Sequence, residues 1–383
     1  MGLRDWLQLS LTDGIGPILI RRIVDAAGGA AAACAADIDL LNNVEGIGLA
    51  KSRIIAKALR EARALVDREI DRAAAQKVEI LCPEDPRYPI LLNNIPDPPT
   101  VLFMRGTLEP RDLNAIGIVG SRKCSIYGRE QADRFGALLA GAGFTVASGG
   151  ARGIDSAAHR GAMTHPHGRT IAVLGSGLDI TYPPENGALF AQIAEHGAVL
   201  SEFPLGTPPH KENFPRRNRI VSGISRGILV IEADERSGAL ITARQACDDH
   251  GRPVFAMPGR VDNPLSAGPH KLIRDGAILT SRIEDILEGL GPLPQNAVEP
   301  MLFETTADES VDSPEKEAQA QPSFNVSDRQ NMILAQLEID GVNVDALVER
   351  TALPVHVVLQ ELTFLTLKGQ VRRVDGQTFA RCK

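Results

Sequence analysis

Aromatic residues are scarce: one Trp, three Tyr and eleven Phe make up only 4% of the 383 residues. Any ring outside an apolar run therefore stands out. Long apolar runs are missing, since none approaches the ~18 residues of a membrane-crossing helix. No basic-then-apolar leader opens the chain. The five cysteines (Cys34, Cys82, Cys124, Cys247 and Cys382) are widely spaced, with no Cys-x-x-Cys pair. That spacing excludes a zinc ribbon and a disulfide framework, and it fits a reducing compartment. His159, His165 and His167 lie close together but lack Cys partners, so they read as surface or capping residues. Excess positive charge is missing as well. The net charge is −7, so binding to a polyanion requires a local patch. The expectation is a cytoplasmic protein with no membrane contact, no metal and no cofactor.

What is present is a strand–helix alternation from Ala115 onward. Candidate strands are Ala115–Val119, Phe144–Ala147, Thr170–Leu174, Ala198–Leu200, Gly227–Ile231, Pro253–Ala256 and Ala277–Leu279. They are short, apolar and β-branched, as strands covered on both faces should be. Helical patterns separate them, among them Ile126–Ala142, Ile154–Thr164, Asn218–Ser225 and Gly238–His250. This alternation predicts an α/β fold, a Rossmann-like doubly wound parallel sheet. Ligands of such sheets bind beyond the carboxyl ends of the strands. The loops there are Gly120–Lys123, Ser148–Gly153 and Gly175–Asp179, each containing glycine. Glycine lets backbone amides approach an anion. The dinucleotide pattern G-x-G-x-x-G does not match at Gly117–Arg122 or at Gly175–Ile180, and no P-loop sequence occurs.

The stretch Ser201–Arg226 runs against the acidic background. From Lys211 to Arg226 it holds five Lys/Arg and one acid, Glu212, with Phe214 three residues after Lys211. Cations beside an exposed ring suit a single-stranded nucleic acid groove, where charge tracks phosphates and the ring stacks on bases. Arg122, Arg152, Lys211 and Arg260 are expected to converge on this rim. The DNA-binding set is Ser121, Arg122, Gly149, Gly150, Arg152, Lys211, Phe214, Arg216, Arg217, Asn218 and Arg219. The amides of Ser121, Gly149 and Gly150 would hold phosphates. Some guanidiniums of the 216–219 run are alternatively expected to turn inward onto Glu202 or Glu232. Asp155, Asp179, Glu202, Glu232 and Asp234 fall near strand ends, where any two could pair, but each suits a cap or an ion pair with an arginine equally well; Ser148 and His159 flank Asp155 without the spacing of a nucleophile elbow.

Residues 71–289 form the main domain on this reading. Residues 1–70 are Ala-rich and helical, with Asp13–Pro17 and Glu45–Leu49 preceding amphipathic helices. Their h-x-G-h-G turns resemble the helix-hairpin-helix motif, giving a SAM-like helical domain; they serve either as phosphate contacts or as plain glycine-capped connections. Residues 290–325 read as a flexible acidic linker. Residues 326–383 predict three helices and a hairpin turning at Asp375-Gly376, a winged helix. Its reading helix Pro354–Lys368 offers only His356, Gln360 and Lys368 to a DNA groove, which favours an interaction or regulatory role.

The motifs over about residues 80–285 resemble those of the DNA-processing protein A family (DprA/Smf). They are Gly120-Ser121-Arg122 with Tyr127-Gly128, Ser148–Asp155, Leu174–Tyr182 with Pro183 and Asn186, Ser201–Ser225, Ser237–Ala243 and Val254–Gly259. The resemblance implies a non-catalytic protein that binds and shields single-stranded DNA. It further implies that the protein helps load RecA in natural transformation and recombination, and forms a homodimer through the Rossmann-like domain. It places DNA contacts at Arg122, Lys211 and Phe214. The rival function is a nucleotide-processing phosphoribohydrolase-like enzyme, although the P-G-G-x-G-T-x-x-E signature is missing. A RecA-directed adaptor with secondary DNA contact is a third.

Overall fold

The computed structural model describes residues 2–291 and most of 328–383; residues 339–340, 352, 354, 368–369, 375–377 and 382–383 are not described. The chain divides into two compact units, the first holding residues 1–291. The expected linker lies, from 292 on, outside the described residues, as does the Asp375-Gly376 turn.

The first unit is built on a nine-stranded sheet. Its strands are β1 (Glu79–Leu81), β2 (Leu102–Gly106), β3 (Ala115–Val119), β4 (Thr145–Ser148), β5 (Arg169–Val173), β6 (Gly197–Ser201), β7 (Ser225–Val230), β8 (Val254–Ala256) and β9 (Ile278–Leu279). They lie in the order β1-β2-β6-β5-β4-β3-β7-β8-β9. From β6 to β9 all neighbours are parallel. The order reverses between β3 and β7, which makes the sheet doubly wound. β3, β4, β5 and β6 are buried throughout, as their continuous apolar runs require.

Two departures from the sequence reading matter. β1 and β2, which precede the expected strand–helix alternation, join the sheet antiparallel beyond β6. The expected boundary at 70 falls inside the helix Val66–Ala75. Val66 and Ala73 of that helix pack with Leu7, Phe103, Val199 and Leu205 in one buried cluster. The helical layer therefore packs on the sheet through this cluster, within one compact unit, and keeps a second core of its own around Leu41, Ile55 and Leu59.

In the helical layer the two similar turns adopt the same backbone. Gly14 and Gly46 have φ of 82° and 86°, and Gly16 and Gly48 cap the helices Pro17–Ala27 and Leu49–Arg63 in extended conformation. Only glycine takes the left-handed position without strain.

The second unit has helices Asp328–Gln336, Val344–Thr351 and Val355–Leu367, with strands Val342–Asn343, Val371–Arg373 and Thr378–Arg381 in one antiparallel sheet. This is a winged helix around Leu347, Val358, Leu362 and Phe379. The side chains of His356, Gln360 and Lys368 lie outside the description. Among the described residues, no helix is long and apolar enough to cross a membrane.

Candidate nucleic-acid interface

The switch point between β3 and β7 is filled. The Ser121 amide donates to the Glu232 carbonyl at 2.6 Å. The Glu232 carboxylate accepts from the Ser125 amide at 2.8 Å and hydroxyl at 2.6 Å. Ser125 in turn caps the helix Ile126–Gly141 by accepting from the Gly128 amide. Glu232 thus holds a helix N-terminus and, among the described residues, pairs with no arginine. The Ser121 amide is likewise committed, which corrects its expected role as a phosphate donor. Ser121 shapes the loop from within, its hydroxyl accepting from the Lys123 amide at 3.1 Å.

The open surface lies one step along the sheet, beyond β3, β4 and β5. Arg122, Gly149, Ala151, Arg152, Gly175, Tyr182, Pro183, Phe214 and Arg217 surround a shallow depression enclosing only ≈ 10 Å³. That is room for about one water, too little to enclose a nucleotide. The exposed Arg122 guanidinium stands over the Phe214 ring, Cζ 4.8 Å from its centroid. Tyr182 flanks the same ring at 5.6 Å, tilted by 43°. Arg152 is exposed and pairs with Glu185. Lys211 is exposed three residues before Phe214 and is not among the residues around the depression. Gly175 lies against Phe214, where a Cβ would come within 3.1 Å of the ring.

The helix carrying Phe214 starts earlier than its pattern suggested, at Asn213 rather than Asn218, and runs to Ile224. Pro215 sits in the first turn, where its missing N–H costs nothing. The helical phase then sorts the basic run, at about 100° per residue. Phe214, Arg217 and Asn218 share one side, whereas Arg216 and Arg219 point roughly opposite. Arg217 and Arg219 are each only 4% exposed. The Arg217 guanidinium donates to the carbonyls of Gly149 and Val173. Arg219 pairs with Glu202 and, at 3.1 Å, with Asp97. The expectation that some guanidiniums turn inward holds for Glu202 but not for Glu232, and direct DNA contact by Arg219 is corrected to a buried ion pair. Arg216 is exposed, stacked 5.3 Å from the Phe203 ring, and Asn218 donates to the Gly238 carbonyl at 3.3 Å. These lie off the depression.

Gly149 and Gly150 are both buried. A Cβ at Gly149 would overlap the Arg217 guanidinium, and one at Gly150 would meet the Phe190 ring at 2.7 Å. Internal packing thus accounts for both glycines. Arg260, after β8, pairs with Asp262 at 2.8 Å and is not among the residues around the depression.

Burial pushes the Arg217 guanidinium down to about 10, and the nearby Arg122 charge adds to that, while Asp155 opposes it. Burial also pushes the Asp155 carboxyl up, against the field of Arg217. Two guanidiniums that repel each other beside an open depression favour an anion there. The remaining carboxylates are occupied. Asp155 accepts from the Ala151 amide at 3.2 Å, Asp179 from the Gly206 amide at 2.7 Å, and Asp234 from the Arg236 amide at 2.8 Å. Tyr182 was not singled out from sequence. Its signal was its rarity, one of three tyrosines, in a loop following β5.

A family model described as DNA recombination-mediator protein A matches residues 79–291, and one described as the DprA winged helix domain matches residues 316–377. Protein Smf of Synechocystis sp. is 35% identical over 394 residues, covering 98% of each chain. DNA processing protein A from Streptococcus pneumoniae superposes with a TM-score of 0.66 at 33% identity, covering 75% of this chain and 98% of that one. DNA processing protein A from Helicobacter pylori, solved to give its single-stranded DNA binding mode, superposes with a TM-score of 0.50 at 29% identity over 56% of this chain and 95% of that one.

Proposed function

Because the chain belongs to the DNA recombination-mediator protein A family, we propose that it binds single-stranded DNA on the open wall formed by Arg122, Phe214 and Tyr182. The observation that carries this reading is the ring pair beside an unenclosed depression, with the Arg122 guanidinium over one ring. Single strands expose both phosphates and base faces, and this wall offers charge for one and π-surface for the other. Every base has a stackable face, so binding is independent of sequence. Arg122, Arg152 and Lys211 supply the charge, while Arg217 supports the Gly149 loop from beneath and adds positive field.

The protein acts without catalysis on this reading, shielding incoming strands and helping to load RecA during natural transformation and homologous recombination, as a cytoplasmic homodimer. The test is a mobility-shift titration of single- and double-stranded oligonucleotides across salt. Preference for the single strand is expected, with log K falling against log salt by about 0.7 per phosphate neutralised. Equal affinity for both forms contradicts the wall. Release of free base from nucleoside monophosphates would instead support a phosphoribohydrolase.

A further inference from the structure

We propose that Glu69 and Arg72, on the helix Val66–Ala75 of the helical layer, are positioning residues for the basic wall: they clamp the base of the loop that presents Lys211. This rests on the DNA-binding reading above and assigns the helical layer a part in it.

The clamp is a continuous relay. Glu69 is buried, and its Oε1 accepts from the Leu205 amide at 2.7 Å. Its Oε2 holds Arg72 at 3.2 Å. Arg72 reaches on to Asp179 at 3.5 Å, and the other oxygen of Asp179 accepts from the Gly206 amide at 2.7 Å. Two consecutive amides of the loop are thereby fixed by one Glu–Arg–Asp chain that starts in a different layer. The Leu205 side chain is buried in the same cluster as Val66 and Ala73, so packing and hydrogen bonding pull the loop to one place. Gly206 fits this geometry twice over. Its φ is +85°, and a Cβ there would come within 3.0 Å of the Arg72 guanidinium.

Downstream, the loop is tied to the strand-end loop that Asp179 also serves. The Gly177 amide donates to the Thr207 carbonyl at 2.9 Å, and Asn213 donates to the Gly175 carbonyl at 3.1 Å. Lys211 lies between these last two ties, exposed, with no ion-pair partner among the described residues. Its reach toward a phosphate is set by where the loop enters, and the clamp decides that point. A lysine held in place loses less freedom on binding, so the contact is tighter for the same charge.

The test uses the full chain and a fluorescein-labelled oligo-dT 20-mer, read by anisotropy across salt. Arg72 is partly exposed, so Arg72→Ala keeps the fold, which the thermal midpoint verifies. Arg72→Ala is expected to weaken binding about fivefold to tenfold, and to lower the salt slope by about 0.7, as loss of one phosphate contact does. Arg68→Ala, which removes an exposed charge from the same helix, is expected to leave both unchanged. Arg72→Lys recovers part of the affinity. Once Lys211→Ala is in place, Arg72→Ala adds nothing, because both act through one contact. Amide exchange at Leu205 and Gly206 accelerates in Arg72→Ala.

Wild-type affinity in Arg72→Ala overturns the proposal, and so do independent, multiplying effects of Arg72→Ala and Lys211→Ala. If Lys211→Ala itself binds like wild type, the basic wall is wrong and the clamp falls with it; a loss in Lys211→Ala without one in Arg72→Ala leaves the wall standing and removes the clamp alone.

Discussion

Replacing Phe214 by alanine tests the wall most directly. The ring is half-buried and touches Tyr182 and the Arg122 guanidinium. Two losses follow from its removal. Stacking on a base is worth roughly 1–3 kcal/mol. The cation–π contact that steadies Arg122 adds roughly 0.5–1 kcal/mol at a solvent-facing site. The two are coupled through one ring, so a total near 2–3 kcal/mol is expected, about 30- to 150-fold in Kd. Anisotropy with labelled oligo-dT at several salt concentrations reads it. Phe214 carries no charge, so the salt slope stays at the wild-type value. Arg122→Ala should instead lower the slope by about 0.7. Phe214→Leu keeps most of the volume but no π-face, and should resemble alanine. Affinity for Phe214→Ala within twofold of wild type, or a changed slope, would refute the stacking argument.

Two further perturbations separate architecture from contact. Arg219→Met strands the Glu202 carboxylate, one oxygen of which already lacks a protein partner. Losing one member of a buried pair costs about 3–5 kcal/mol, and burial already pushes Glu202 toward its neutral form. Urea unfolding should show the loss, with part of it recovered by adding Glu202→Gln; an unchanged midpoint would contradict the buried pair. His159 is fully buried, its Nδ1 2.6 Å from the Thr170 hydroxyl, and burial pushes its pKa down to about 3. The unfolded chain therefore binds a proton near its ordinary value of about 6.5 while the folded chain does not. This part of the stability is complete above that value and is lost as pH falls toward about 3. Between pH 7.5 and 5.5 the loss should be about 1–2 kcal/mol, and His159→Gln should abolish that slope. An equal slope in the variant would show the ring is not held neutral.

By itself the sequence determined the doubly wound sheet, the winged helix and the glycine loops at the strand ends, because these follow from local periodicity and from backbone conformations few residues permit. It also brought Arg122, Lys211 and Phe214 forward, since cations and a ring in an acidic, aromatic-poor chain stand out from their background. The helix expected from Asn218 starts five residues earlier, at Asn213, with Pro215 tolerated in its first turn. That difference hid the phase of the basic run. Only the tertiary structure decided that Arg217 and Arg219 face inward, that Glu232 caps a helix, and that Tyr182 completes the ring pair. It alone joined Glu69 to the Leu205 amide, 136 residues away. Each of these depends on which distant groups share a buried space, and a buried charge is stable only where such partners meet it.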